Sequence, residues 1–281
     1  LTYQDNIILF TTFLLFFCIG LLSDLKITNS PKKRLFIQFF LLVIFLFFNN
    51  DFRIDTRIEI LNLLMSHEIL RIIIISFFFL VLINGFNFID GVNSLSSLNI
   101  LIVLFFLYFL SKDIDATEIQ NLVHILLISL SVFVIFNFFG KNFLGDGGVY
   151  SLSFFLGVIV IQLSILSEQI SPYYIANLLW YPAFENLFSI VRRIISNKKN
   201  YLADNNHLHQ LLFKFFHKKN IFKKKYLLSS FIGILINFYL FLFYLIGFED
   251  YSDTKRQLFL ILINTLIYLF IYYLLQKKIN D

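Results

Sequence analysis

Nine stretches of the chain carry almost no charge and are long enough to cross a hydrocarbon core of about 30 Å as helices. They cover roughly 7–22, 35–48, 69–86, 94–111, 119–139, 149–167, 172–191, 227–247 and 257–275. The second is short, and Pro182 interrupts the seventh. Apolar residues follow one another without the alternation of a strand, so helices are predicted and a barrel is not. No fixed-period repeat is visible and no separate soluble segment stands out. The pattern predicts an all-α, polytopic transmembrane bundle, one membrane domain over 1–281, with one large polar loop at about 192–226.

Composition agrees with the pattern. The 281 residues are 58% hydrophobic, with 39 Phe and 14 Tyr but only 3 Pro, and the mean hydropathy is +0.79. A soluble domain is only about 45–50% apolar. The excess needs a bilayer to receive it. The single Cys18 lies inside an apolar run, so no disulfide framework exists and the thiol reads as a small buried hydrophobe. The chain starts at Leu1, on an acidic rather than a basic leader, and its only Met is Met65, so no signal peptide is predicted and the true N-terminus is expected to lie outside this sequence.

Charge then gives the bundle a direction. With nine crossings, the loops at about 23–34, 87–93, 140–148, 192–226 and 276–281 share one face. All but six of the 23 Lys and Arg lie there; the exceptions are Arg53, Arg57, Arg71, Lys112, Lys255 and Arg256. Twelve acids lie on the opposite side, five on the basic side, and Glu185 falls within a span. The positive-inside rule makes the basic face cytoplasmic. The basic run Lys214–Lys225 reads as a membrane-surface patch drawn to anionic lipid. The bilayer is therefore an expected partner, and no role for nucleic acid is expected.

The same face collects the chemistry. Its loops contribute Ser23-Asp24, then Asn87 to Ser94 with Asp90 and Asn93, then Asn137 with Lys141 and Gly145-Asp146, then Arg192-Arg193 and Asp204 with His207-Leu208-His209. Each cluster alone also reads as a cap or a turn. Together they place carboxylates, amides, imidazoles and glycines at one membrane level, where ionisable groups at span ends are functional candidates. Asp and Asn oxygens suit Mg²⁺, which keeps waters and bridges substrate phosphates. Arg, Lys and His supply charge for a diphosphate. Phosphoryl transfer needs little beyond positioning, metal and charge neutralisation. His-x-His has no Cys and no third ligand in series, which argues against zinc.

These motifs, over about 20–215, resemble the polyprenyl-phosphate N-acetylhexosamine-1-phosphate transferases, which include the undecaprenyl-phosphate GlcNAc-1-phosphate transferase and phospho-MurNAc-pentapeptide translocase types. Ser23-Asp24 and Pro31 to Gln38 are similar to the family's Asp-Asp segment and its basic trailer; Asn87-Phe88-Ile89-Asp90-Gly91-Val92-Asn93 to its Asn-x-x-Asp-Gly motif; Asn137 through Phe143-Leu144-Gly145-Asp146 to its Phe-Met-Gly-Asp motif; and Arg192-Arg193 with Asp204-Asn205-Asn206-His207-Leu208-His209 to its Arg and His-x-His-His loop. The resemblance implies that Asp146 and Asn87 hold Mg²⁺, or Mn²⁺ in its place, on the diphosphate of a UDP-sugar. A polyprenyl phosphate is then the acceptor, and UMP leaves. It puts Asp24 beside the lipid phosphate as base or positioning group; positioning is favoured because an ionised phosphate needs no base. Asp90 and Asn93 are expected to hold the nucleotide or the local turn. Asn137, Lys141, Arg192, Arg193, His207 and His209 are expected at the diphosphate and sugar. The resemblance allows a homodimer, and it implies two further N-terminal spans with a polar loop between them.

Four positions depart from the family pattern. Ser23 replaces an Asp, Ser94 a Gly, Glu185 an Asp and Gln210 a His. An inactive homologue is therefore one rival reading. A transporter is another, and it would be expected to show an internal repeat and broken helices at the bilayer midplane.

Overall fold

The computed structural model describes residues 3–195 and 206–280. Asp204 and Asn205 of the fourth motif lie outside them. Among the described residues there are twelve helices and no strand. They are α1 (Tyr3–Asp24), α2 (Pro31–Phe48), α3 (Glu59–Ser66), α4 (Glu68–Ile89), α5 (Leu95–Asp113), α6 (Thr117–Phe138), α7 (Gly145–Leu166), α8 (Pro172–Leu178), α9 (Trp180–Ile195), α10 (Leu208–Lys218), α11 (Lys225–Phe248) and α12 (Thr254–Asn280).

Seven of them, α1, α4, α5, α6, α7, α11 and α12, are long and apolar enough to cross a membrane, and the chain is a helical membrane protein. The other two predicted crossings fall outside that set for visible reasons. Helix α2 carries Lys32, Lys33 and Arg34 in its first turn, behind the Ser30 cap and Pro31. The seventh apolar run is two helices, broken at Leu179 rather than at Pro182. Pro182 sits in the first turn of α9, where its missing N–H has no intrahelical acceptor to lose. Gly85 of α4 crosses there so closely that a Cβ on it would lie 2.3 Å from the Pro182 carbonyl oxygen.

Lipid gives helices no hydrophobic reason to associate, so packing and internal hydrogen bonds must hold the bundle. A knot of phenylalanines does the first. Phe16 of α1 stacks on Phe154 of α7 at 4.8 Å, and Phe45 of α2 and Phe79 of α4 meet the same ring at 5.1 and 5.6 Å. All four side chains are buried. Aromatic pairs of this kind contribute about 0.5–1.5 kcal/mol each beyond area. The knot fixes the axial offset of the four helices that carry the first three motifs. Buried amides do the second. Asn237 of α11 donates to the carbonyls of Ser94 and Leu95 at 3.1 and 3.0 Å and accepts from Asn99 of α5. At the opposite end, Arg57 ties its loop to Ser252, Thr254 and Glu168.

Candidate active site

The predicted site residues sit on helix ends more than on loops. Asp24 is the last residue of α1, Asn87 and Asn137 lie in the last turns of α4 and α6, and Asp146 lies in the first turn of α7. Phe86, Phe88 and Ile89 let α4 run three residues past its predicted end. Helix ends hold a side chain more firmly than a loop would.

Asp146 is the hub. Its Oδ2 accepts from Arg34 Nη1 at 2.6 Å, from the Ser23 hydroxyl at 2.5 Å and from the Tyr150 hydroxyl at 3.3 Å. Its Oδ1 accepts from Asn87 Nδ2 at 2.6 Å. Arg34 also donates to Ser23. One carboxylate thus draws donors from α1, α2, α4 and its own helix. Asp24 approaches the same turn from another side. Its two oxygens accept from the backbone N–H groups of Asp146 and Gly147 at 2.9 and 3.2 Å. It caps the positive end of α7 across 122 residues of sequence, a charge-assisted arrangement.

Asp90, half-buried just past α4, completes a group of three carboxylates. Burial first, and then the charges of Asp146 and Asp24, push its acid up to about 8, so it holds a proton at neutral pH. Among the described residues no three His, Cys, Asp or Glu side chains converge closely enough to hold a metal by themselves. Asp146 and Asn87 both carry hard oxygens of the kind Mg²⁺ accepts when substrate phosphates and waters supply the rest, once the Asn87 amide turns its oxygen inward and Arg34 gives up its place on Asp146. The donor chemistry therefore fits the implied ion.

One predicted residue, Asn137, serves the scaffold. Asn137 is buried; its Oδ1 accepts from the Ser94 N–H at 2.7 Å and the Ser97 hydroxyl at 3.0 Å, and its Nδ2 donates to the Asn142 carbonyl at 2.6 Å. With every polar atom so used, it clamps the 90–94 turn to the α6–α7 connection. Asn137→Ala would orphan the buried Ser94 N–H, at about 1–3 kcal/mol. A thermal melt in detergent is expected to show the lower midpoint, and an unchanged one would show that this carbonyl does not hold the turn. Asn93 is pinned by its backbone N–H to Ser229 of α11 at 2.8 Å. Lys141 is exposed on the α6–α7 turn.

The fourth motif reaches the same end of the bundle. Arg193 lies over the ring of Phe88, next to Asn87, at 5.6 Å. Arg192 turns away, onto Phe188 and Tyr272, at 5.3 and 5.5 Å. His207 packs 5.3 Å from the Phe88 ring and stacks on His209 at 5.6 Å. His209 is fully buried against Gly91. Burial pulls its basicity down to about 4, in spite of Glu185 and with help from His207, so the ring is neutral and supplies shape rather than charge.

Sequence reasoning gave no site role to Arg34, Ser23, Tyr150, Glu185 or Tyr268. Arg34 stood in the quoted basic trailer, and Tyr150 is one turn along from Asp146, so both left a trace. Nothing in the sequence singles out Tyr268 among the tyrosines of α12.

No curated protein matches the chain. The model of glycosyl transferase family 4 matches residues 6–164, which takes in Asp24, Asn87, Asp90, Asn93, Asn137, Lys141 and Asp146 and stops before Arg192, Arg193, His207 and His209. That is more than half of the 281 residues, and the chain belongs to glycosyl transferase family 4, whose members are sugar-phosphate transferases acting on a lipid carrier.

Proposed function

We propose that the protein transfers an N-acetylhexosamine 1-phosphate from a UDP-sugar to a polyprenyl phosphate at the cytoplasmic face of a bacterial inner membrane, starting a lipid-linked cell-surface glycan. An oxygen of the lipid phosphate forms the new bond to the sugar-linked phosphorus. The bond from that phosphorus to the bridging oxygen breaks, and UMP leaves with the electron pair. The observation that carries the reading is the convergence on Asp146 of Arg34, Ser23 and Asn87 from three other helices, at the end where Asp24 caps α7. Mg²⁺ or Mn²⁺ on Asp146 and Asn87 would supply charge neutralisation to the diphosphate. Arg34 and Arg193 add permanent positive charge at the same level, and Asp24 holds the first turn of α7 in place. The nine-crossing topology and the cytoplasmic side belong to this proposal.

The transport reading needs a broken helix that lines a pathway. The break between α8 and α9 is packed shut, with Leu178, Leu179 and Trp180 all buried.

UMP release from UDP-GlcNAc and related UDP-N-acetylhexosamines, in proteoliposomes supplied with polyprenyl phosphate and Mg²⁺, tests the reading. Absence of UMP from a folded preparation with every such sugar would overturn it. Asp24→Asn keeps the shape of the cap and removes its charge. It is expected to lower turnover at least about tenfold, or about 1.4 kcal/mol of barrier. An unchanged rate would leave Asp24 a helix cap without a part in the reaction.

A further inference from the structure

Glu185 is fully buried inside the bundle, and its carboxylate has three partners. Oε1 meets Nδ1 of His207 at 2.8 Å and the N–H of Leu208 at 3.4 Å. Oε2 accepts from the hydroxyl of Tyr268 at 2.7 Å. The three elements involved are remote in sequence. Glu185 belongs to α9, His207 is the residue on which α10 starts, and Tyr268 comes from the last helix, α12. None of the three lies in the 6–164 segment that the family model matches. A buried carboxylate is tolerated only when its lone pairs are engaged, and here both oxygens are.

The surroundings leave His207 one way to sit. Its ring is held between Phe88 and the parallel ring of His209, 7° from coplanar orientation. The Gln210 side chain accepts from its backbone N–H at 3.2 Å and the His207 side chain in turn faces the Gln210 N–H, a capping box that closes the first turn of α10. Of the groups around Glu185, His209 is fully buried with neither ring nitrogen hydrogen-bonded among the described residues, and Tyr181 is buried beside it. His207 is therefore the imidazole that the carboxylate addresses. A carboxylate only accepts, and the Gln210 N–H that faces the His207 side chain also has the His207 carbonyl as acceptor at 3.0 Å, so the proton between Nδ1 and the Glu185 carboxylate is assigned to Nδ1. The hydrogen bond at one ring nitrogen fixes what the other does. Nε2 is then the nitrogen left for a substrate.

We infer that Glu185 is a positioning residue for the transfer reaction: it fixes the tautomer and orientation of His207, and Tyr268 holds Glu185 in place from α12. The last helix is thereby part of the active-site support, two hydrogen bonds from the imidazole. This rests on the transfer reading above, in which His207 meets the diphosphate or sugar. Glu185 itself touches no reacting atom.

The test has one arm that needs no turnover. In full-length protein labelled with [¹⁵N]histidine in nanodiscs, the His207 signals are those lost in His207→Gln. They are expected to show Nδ1 protonated in the wild type, and to shift toward the other tautomer in Glu185→Gln. Unchanged ring-nitrogen signals in that variant would overturn the inference. The second arm is a double-mutant cycle on UMP release. Glu185→Gln is expected to lower kcat/KM about tenfold or more, and to have almost no effect when His207 is already Ala. Additive losses would mean that Glu185 acts on general packing, and would also overturn it. If Glu185→Gln does not fold, Tyr268→Phe takes its place in the cycle, where its smaller loss must likewise vanish in the His207→Ala background. Wild-type protein that releases no UMP sinks the transfer reading instead, and the ring signals still decide whether Glu185 sets the state of His207.

Discussion

Asp146→Asn is expected to abolish UMP release, a loss of at least about a thousandfold or about 4 kcal/mol of barrier, while the chain stays folded. The substitution changes almost no volume, so packing is not the issue. What changes is charge and acceptor count. The carboxylate takes hydrogen bonds from Arg34, Ser23, Tyr150 and Asn87. An amide in its place has one acceptor oxygen and turns an NH₂ donor toward either the Arg34 guanidinium or the Asn87 amide. Each charged hydrogen bond lost costs about 1.5–3 kcal/mol, and any cation held on that oxygen loses its charged ligand at the same time. UMP release at saturating Mg²⁺, with a thermal midpoint as the folding control, measures the effect. Full activity in a folded variant would remove Asp146 from both the metal and the diphosphate.

The helical membrane fold was legible because composition and apolar run length state it directly. That the motifs share one end of the bundle was expected from loop parity, counted on nine crossings where seven of the described helices are long and apolar enough to span. The roles of single residues were less so, and the reason is that they depend on partners far away in sequence. A carboxylate at a span end reads as a local cap. Asp24 is indeed a cap, but of α7, whose N-terminus no pattern near residue 24 announces. Asn137 reads as a binding amide, yet the backbone of the 90–94 turn consumes its acceptor. His209 has the residue type of a phosphate ligand, and burial takes away its charge. The loop predicted from 192 contains α10, whose Leu208, Leu211 and Leu212 face inward or partly so; against the lysines around them, that short period was read only as a basic run. Glu185 was noticed as a departure from pattern. Its purpose became visible only when α12 brought Tyr268 to it.

Gly20→Ala is the second large effect, and one that no chemical motif suggests. Gly20 sits one turn before Asp24 on α1, facing the start of α7. A Cβ there would lie 2.3 Å from the backbone nitrogen of Gly147 and 2.4 Å from the carbonyl carbon and oxygen of Asp146. These are backbone atoms of a helix turn, so no side chain can swing aside. In an open helical position Ala would be the better residue by about 1 kcal/mol. Here overpacking, at about 1–3 kcal/mol, outweighs it. The helices must part at the crossing, and the contacts that go first are those of Asp24 and Ser23 with Asp146 and Gly147. A displacement of about 1 Å in a positioning group costs on the order of a hundredfold in rate, so turnover is expected to fall by about that factor with a lower thermal midpoint. Gly148→Ala is the control. The three atoms nearest to its Cβ would all belong to the Leu144 side chain, at 3.3 to 4.0 Å, where a shift of a few tenths of an ångström suffices. Activity near wild type is expected there. A fully active Gly20→Ala would mean that α1 does not cross α7 at this point, and the cap by Asp24 would fall with the crossing.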